Sequence, residues 1–194
     1  MEKKNKSFRP VFWISSITIS LLLIPFIAMQ FTNEVNWSVF DFIIMGILIY
    51  GTCFLFYIMV RRSSNFIFRL AISIAILSSF LLIWVNLAVG LIGSGPNIAN
   101  LMYIAVFVIL IGGTYFSGLT PQRLQWVMFI AASSLLIFAI IQLLAKMYEY
   151  PGSSVVEILG VNSFFAALFL CAGLLFRLIS RPPNRSANHS IIGR

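Results

Sequence analysis

The sequence predicts an all-α membrane protein: a bundle of six transmembrane helices with the N-terminus and C-terminus both cytoplasmic. Three observations predict it. Apolar residues make up 60% of the 194 and charged residues only 9%, against roughly 25% charged in a soluble domain. The apolar residues fall in six runs, each close to the roughly 20 residues needed to cross a 30 Å hydrocarbon core. The basic residues cluster on alternate segments between those runs, as the positive-inside rule requires.

The first run, 10–29, follows Lys3, Lys4, Lys6 and Arg9. Signal peptides also open on a charged stretch, but this run is about twice the length of their apolar region. No small-x-small cleavage pattern follows between Gln30 and Asn36, so the run reads as an uncleaved helix with a kink site at Pro25. The second run, 39–60, stops at the polar stretch Arg61-Arg62-Ser63-Ser64-Asn65. The third, 66–92, is longer, so it is expected to tilt or project, and it ends at the turn cluster Gly93-Ser94-Gly95-Pro96-Asn97. After the fourth, 98–116, Thr120-Pro121 reads as an N-cap followed by proline at the first helical position. The fifth run is 124–145, and Tyr150-Pro151-Gly152 forms a turn before the sixth, 155–179. Residues 1–180 thus form one transmembrane domain, and 181–194 read as a basic, disordered cytoplasmic tail held near anionic headgroups.

Twelve of the thirteen basic residues lie on the N-terminal side of the expected membrane, the exception being Lys146. Glu34, Asp41, Glu149 and Glu157 all lie on the other side. Aromatic placement agrees: Trp13 and Trp126 fall near cytoplasmic ends, and Trp37, Trp84, Tyr103, Tyr148 and Tyr150 near outer ends, forming interfacial belts. The net charge of +8 is split into short clusters with no continuous basic face, which excludes nucleic acid as a partner. The expected partners are the lipid bilayer and either another membrane protein or further copies of the chain.

The composition also excludes several chemistries. Cys53 and Cys171 both lie inside apolar runs and read as small buried hydrophobes, without disulfide or zinc spacing. His189 is in the tail, so no span carries a histidine for haem or metal. No nucleophile stands beside a base, and HExxH, P-loop and dinucleotide-glycine motifs are lacking. No catalytic, cofactor-binding or metal-ligating residue is assigned, and no cofactor is expected.

Polar residues within the spans are the remaining candidates, because they cost energy in lipid. At 1.5 Å per helical residue, Asp41 lies roughly 30 Å above Arg61 and Glu157 roughly 30 Å above Arg177. Asn86 lies about 25 Å above Arg69, Asn162 about 22 Å above Arg177, and Pro25 about 24 Å above Arg9. Asp41 and Glu157 complete Ser-x-x-acid patterns with Ser38 and Ser154, the signature of a capping box, in which serine and acid satisfy each other's backbone amides. Asn86 and Asn162 serve most simply as bonds between helices. The functional alternative is an outward-facing polar vestibule lined by Asn86 and Asn162 beneath a rim of Asp41, Glu157, Asn97 and Asn100, whose oxygens would suit hard cations. Ser16-x-x-x-Ser20, Ala71-x-x-x-Ala75-x-x-x-Ser79, Gly113-x-x-x-Ser117 and Ala167-x-x-x-Cys171 are small-residue patterns that let helices approach.

Two segments carry a resemblance. One runs from Phe80 through Trp84, Asn86 and Ser94 to Asn97 and Asn100-Leu101-Met102-Tyr103; the other runs from Phe31 through Trp37 to Phe42. Both resemble a group of small bacterial six-helix integral membrane proteins with no assigned function. The resemblance implies the six-helix fold and the bacterial cytoplasmic (inner) membrane, and no activity. Relatives often carry an acid where this chain has Gly95, and that departure argues against a metal site in the loop. The reading that follows is a non-enzymatic structural or accessory subunit. The alternative is a small transporter or channel built on the vestibule.

Overall fold

The computed structural model describes residues 8–93 and 97–180. Among them are six helices long and apolar enough to cross a membrane, and no strand. They are α1 (Phe8–Phe31), α2 (Val39–Val60), α3 (Phe66–Ala88), α4 (Ile104–Ser117, preceded by a 3-10 segment, Ile98–Tyr103), α5 (Pro121–Leu144) and α6 (Val155–Ser180). A short 3-10 turn, Met147–Glu149, follows α5. The expected tail 181–194 and the basic residues Lys3, Lys4 and Lys6 lie outside the described residues. The helices form two compact units, residues 1–90 and 91–194.

In the first unit α2 packs on both α1 and α3. The links are short, so successive helices run antiparallel. Gly46 of α2 faces α1, where a Cβ would sit 3.4 Å from Leu22 Cδ1, at van der Waals contact. Phe26, Trp37 and Phe42 meet edge to face where α1 passes into α2, with ring centroids 5.2 and 6.3 Å apart. The capping box that begins α2 is complete. Asp41 N–H donates to Ser38 Oγ (3.3 Å), and Ser38 N–H donates to Asp41 Oδ2 (2.7 Å). Pro25 lies inside α1, which continues through it as one helix although the Leu21 carbonyl loses its usual amide partner.

The third span ends earlier than its apolar run. An unbroken helix to Ile92 was expected; α3 stops at Ala88, and Gly90 turns the chain at φ +76°. Leu91 and Ile92 are apolar and buried, so hydropathy continues past the point where the helix ends. Their amides bond to a side chain instead of to the preceding turn.

In the second unit α5 packs along α6 and against α4. Two glycines make the approaches close. A Cβ on Gly113 of α4 would lie 2.7 Å from Val127 Cγ1, and one on Gly173 of α6 would lie 2.5 Å from Phe129 Cε1. Buried Leu124, Met128, Leu135, Phe165, Phe169 and Phe176 fill α5 and α6. Thr120 is the N-cap of α5 and Pro121 its first residue, as expected, but the Thr120 hydroxyl donates backwards to the Ser117 carbonyl (3.0 Å). Trp13 and Trp126 are exposed near helix starts, where indole rings suit a membrane interface.

Candidate functional site

The most polar buried place among the described residues of the second unit is built by three elements. The 3-10 segment before α4 comes first. Asn97 caps it, its Oδ1 accepting the Ala99 N–H at 3.0 Å. Three residues per turn stack positions three apart on one face, so Asn100 and Tyr103 both turn inward while Ile98 and Leu101 are exposed.

Asn100 clasps the chain that follows α3. Its Oδ1 accepts the amides of Leu91 (3.0 Å) and Ile92 (2.8 Å), and its Nδ2 donates to the Ile92 carbonyl (3.3 Å). The next amide, Gly93 N–H, donates to Ser153 Oγ at 2.7 Å. Gly93 holds φ +70°, and a Cβ there would press on Asn97 Nδ2 at 3.2 Å, so glycine suits this position on two counts. A buried stretch of irregular backbone is tolerated in an apolar protein only where its polar groups are met from within. Asn100 and Ser153 meet them here.

One 3-10 turn further on, Tyr103 joins Gln142 of α5 and Asn162 of α6; they are 0%, 0% and 1% exposed. Tyr103 OH donates to Asn162 Oδ1 (3.2 Å), Asn162 Nδ2 donates to Gln142 Oε1 (3.0 Å), and Gln142 Nε2 donates to Tyr103 Oη (3.1 Å). The bonds form a closed ring in which each side chain donates to the next. The second amide protons go outside it, from Asn162 Nδ2 to the Ile158 carbonyl (2.8 Å) and from Gln142 Nε2 to Met102 Sδ (3.2 Å). Phe138, one helical turn before Gln142, meets the Tyr103 ring edge-on at 6.1 Å.

The ring is made of two carboxamides and a phenol and carries no carboxylate, imidazole or ammonium. It ties α5, α6 and the segment leading into α4 at one depth, and each member satisfies another in a medium that would otherwise leave it unpaired.

The six vestibule candidates divide between the units. Asn97, Asn100, Glu157 and Asn162 belong to the second. Asn100 is engaged in the clasp and Asn162 in the ring, while Glu157 N–H donates to Ser154 Oγ (3.1 Å) at the start of α6. Asp41 and Asn86 belong to the first unit. Asp41 is exposed within its capping box, and Asn86 is half-buried near the end of α3. Two ring members were missed. Gln142 lies in an apolar run about 28 Å from Arg123 and met the same criterion as the asparagines. Tyr103 was assigned to the interfacial belt, which an amphipathic ring suits as well as a buried polar partner does.

Comparison with family models, with curated proteins and with solved structures finds no match to the chain.

Proposed function

We propose that the chain is a non-enzymatic, multi-pass integral membrane protein of a bacterial inner membrane. Both termini are cytoplasmic, and it acts as a structural or accessory subunit through helix contacts with another membrane protein or with its own copies. The six apolar helices support residence in the bilayer. The observation that carries the non-transport, non-catalytic reading is the closed ring of Tyr103, Gln142 and Asn162. Asn162 was the deepest polar candidate of the second unit, and both ends of its amide are taken by protein neighbours. A transport site would need such groups to exchange partners with a solute.

Flux measurements on the purified protein in liposomes test this. Vesicles with and without protein are expected to pass monovalent cations, divalent cations and small neutral solutes at the same rate. Protein-dependent flux abolished by Asn162→Leu or Asn86→Leu would overturn the reading in favour of a transporter or channel.

A further inference from the structure

The turn between α2 and α3 concentrates positive charge and holds two of its guanidinium groups in place. Arg61, Arg62 and Arg69 are all exposed and lie within nine residues of chain. Arg61 donates through Nη1 to the hydroxyl of Tyr57, one helical turn earlier, and its guanidinium carbon lies 5.1 Å from the centroid of the Tyr57 ring. Arg69 folds back from α3, its Nε donating to the Ser63 carbonyl at 2.9 Å. Two guanidinium groups are therefore positioned by uncharged oxygens, which orient them without neutralising them. The carboxylates described in this unit, Glu34 and Asp41, lie at the opposite end of α2, with Asp41 about 30 Å from Arg61 along the helix. The partial negative charge where α2 ends is offset by the partial positive charge where α3 begins. Arg9 stands at the same end, because α1 and α2 are antiparallel.

Beside these charges α3 presents an apolar strip. Phe66, Leu70 and Leu77 are exposed, 75%, 40% and 56% respectively, and follow the helix down from the turn. Guanidinium donors at the level of the headgroups, above an apolar strip at the level of the chains, match an amphiphile with an anionic phosphate. Arginine's planar donors suit phosphate oxygens, and Arg69 retains its Nη groups for them.

We propose that the α2–α3 turn is a binding site for an anionic phospholipid. Arg61, Arg62 and Arg69 hold the phosphate, and the acyl chains lie along Phe66, Leu70 and Leu77. The site rests on the membrane reading above but not on the orientation of the chain.

Native mass spectrometry tests it. The full-length protein is released from neutral detergent containing equal amounts of phosphatidylglycerol and phosphatidylcholine with identical chains. Phosphatidylglycerol adducts are expected to exceed phosphatidylcholine adducts about five-fold or more. The variant with Arg61→Gln, Arg62→Gln and Arg69→Gln should bind the two lipids equally, while Arg123→Gln keeps the preference. Tyr57→Phe removes no charge and is expected to lower the preference by about half, which tests the positioning of Arg61 independently of net charge. Equal adducts in the unaltered protein, or a preference unchanged in the triple variant with helix content intact by circular dichroism, overturns the site. Displacement of phosphatidylglycerol by inorganic phosphate at equal concentration overturns the lipid as ligand. A protein that stays soluble and monodisperse after detergent removal overturns the membrane reading as well.

Discussion

At the scale of single residues, the buried ring shows what a few polar atoms do in an apolar protein. Tyr103, Gln142 and Asn162 are held in place by one another, so removing one leaves two partners unsatisfied. Asn162→Leu and Gln142→Leu are each expected to lower stability by about 1–2 kcal/mol. The double variant should cost less than the sum of the two single ones, since each single substitution already breaks the Asn162–Gln142 bond. Unfolding measured by steric trapping in bicelles checks this, and strictly additive costs would show that the side chains act independently. Asn162 was legible in the sequence because a carboxamide within a span is conspicuous. Its pairing with Gln142 and Tyr103 was not, because they lie 20 and 59 positions away in the chain. Asp41 was legible in full, since its capping box is local and both halves lie within four residues.

At the scale of elements, helix existence could be read from apolar runs, but the end of α3 and the faces of the helices could not. Leu91 and Ile92 satisfy any hydropathy count for a span, yet Asn100 takes their amides and the helix stops at Ala88. The glycines divide in the same way. Gly113 and Gly173 face Val127 and Phe129 so closely that a methyl group must displace a side chain, whereas Gly160 has nothing within 4 Å of the same position. Gly173→Ala is expected to destabilise the protein by about 1–3 kcal/mol. Gly160→Ala should stabilise it by up to about 1 kcal/mol, because alanine is the better helix former where space is open. Thermal unfolding in detergent micelles reads both signs. If Gly173→Ala leaves stability unchanged or raises it, the close approach of α6 to α5 is wrong. Small-residue patterns do not distinguish these cases: Gly113-x-x-x-Ser117 brings α4 to α5, while Ala167 and Cys171 of a similar pattern are both exposed.

At the scale of the whole molecule, the reading rests on asymmetry of charge. Twelve of the thirteen basic residues fall on alternate segments between the apolar runs, and from that the positive-inside rule predicts the proposed orientation, with both termini cytoplasmic. Substituted-cysteine labelling tests that direction. With Cys53 and Cys171 changed to alanine, Asn97→Cys should react with a membrane-impermeant maleimide added to intact cells, and a cysteine placed at Ser64 should react only after lysis. The reverse pattern would invert the topology. Among the described residues of its unit, the carboxylates Glu34 and Asp41 lie at the other end of α2 from the α2–α3 turn, which is why the turn suits an anionic headgroup.

The number of helices, their approximate spans and the distribution of charge follow from properties that accumulate along the chain. Apolar length must match the thickness of a bilayer, and local caps need only a few residues, so both can be recognised in one dimension. The ring, the clasp on Leu91 and Ile92, and the choice of which glycines meet a neighbour depend on contacts between segments distant in sequence. Those contacts are short-ranged and directional, and hydrogen-bond and van der Waals geometry selects them only once the helices have packed.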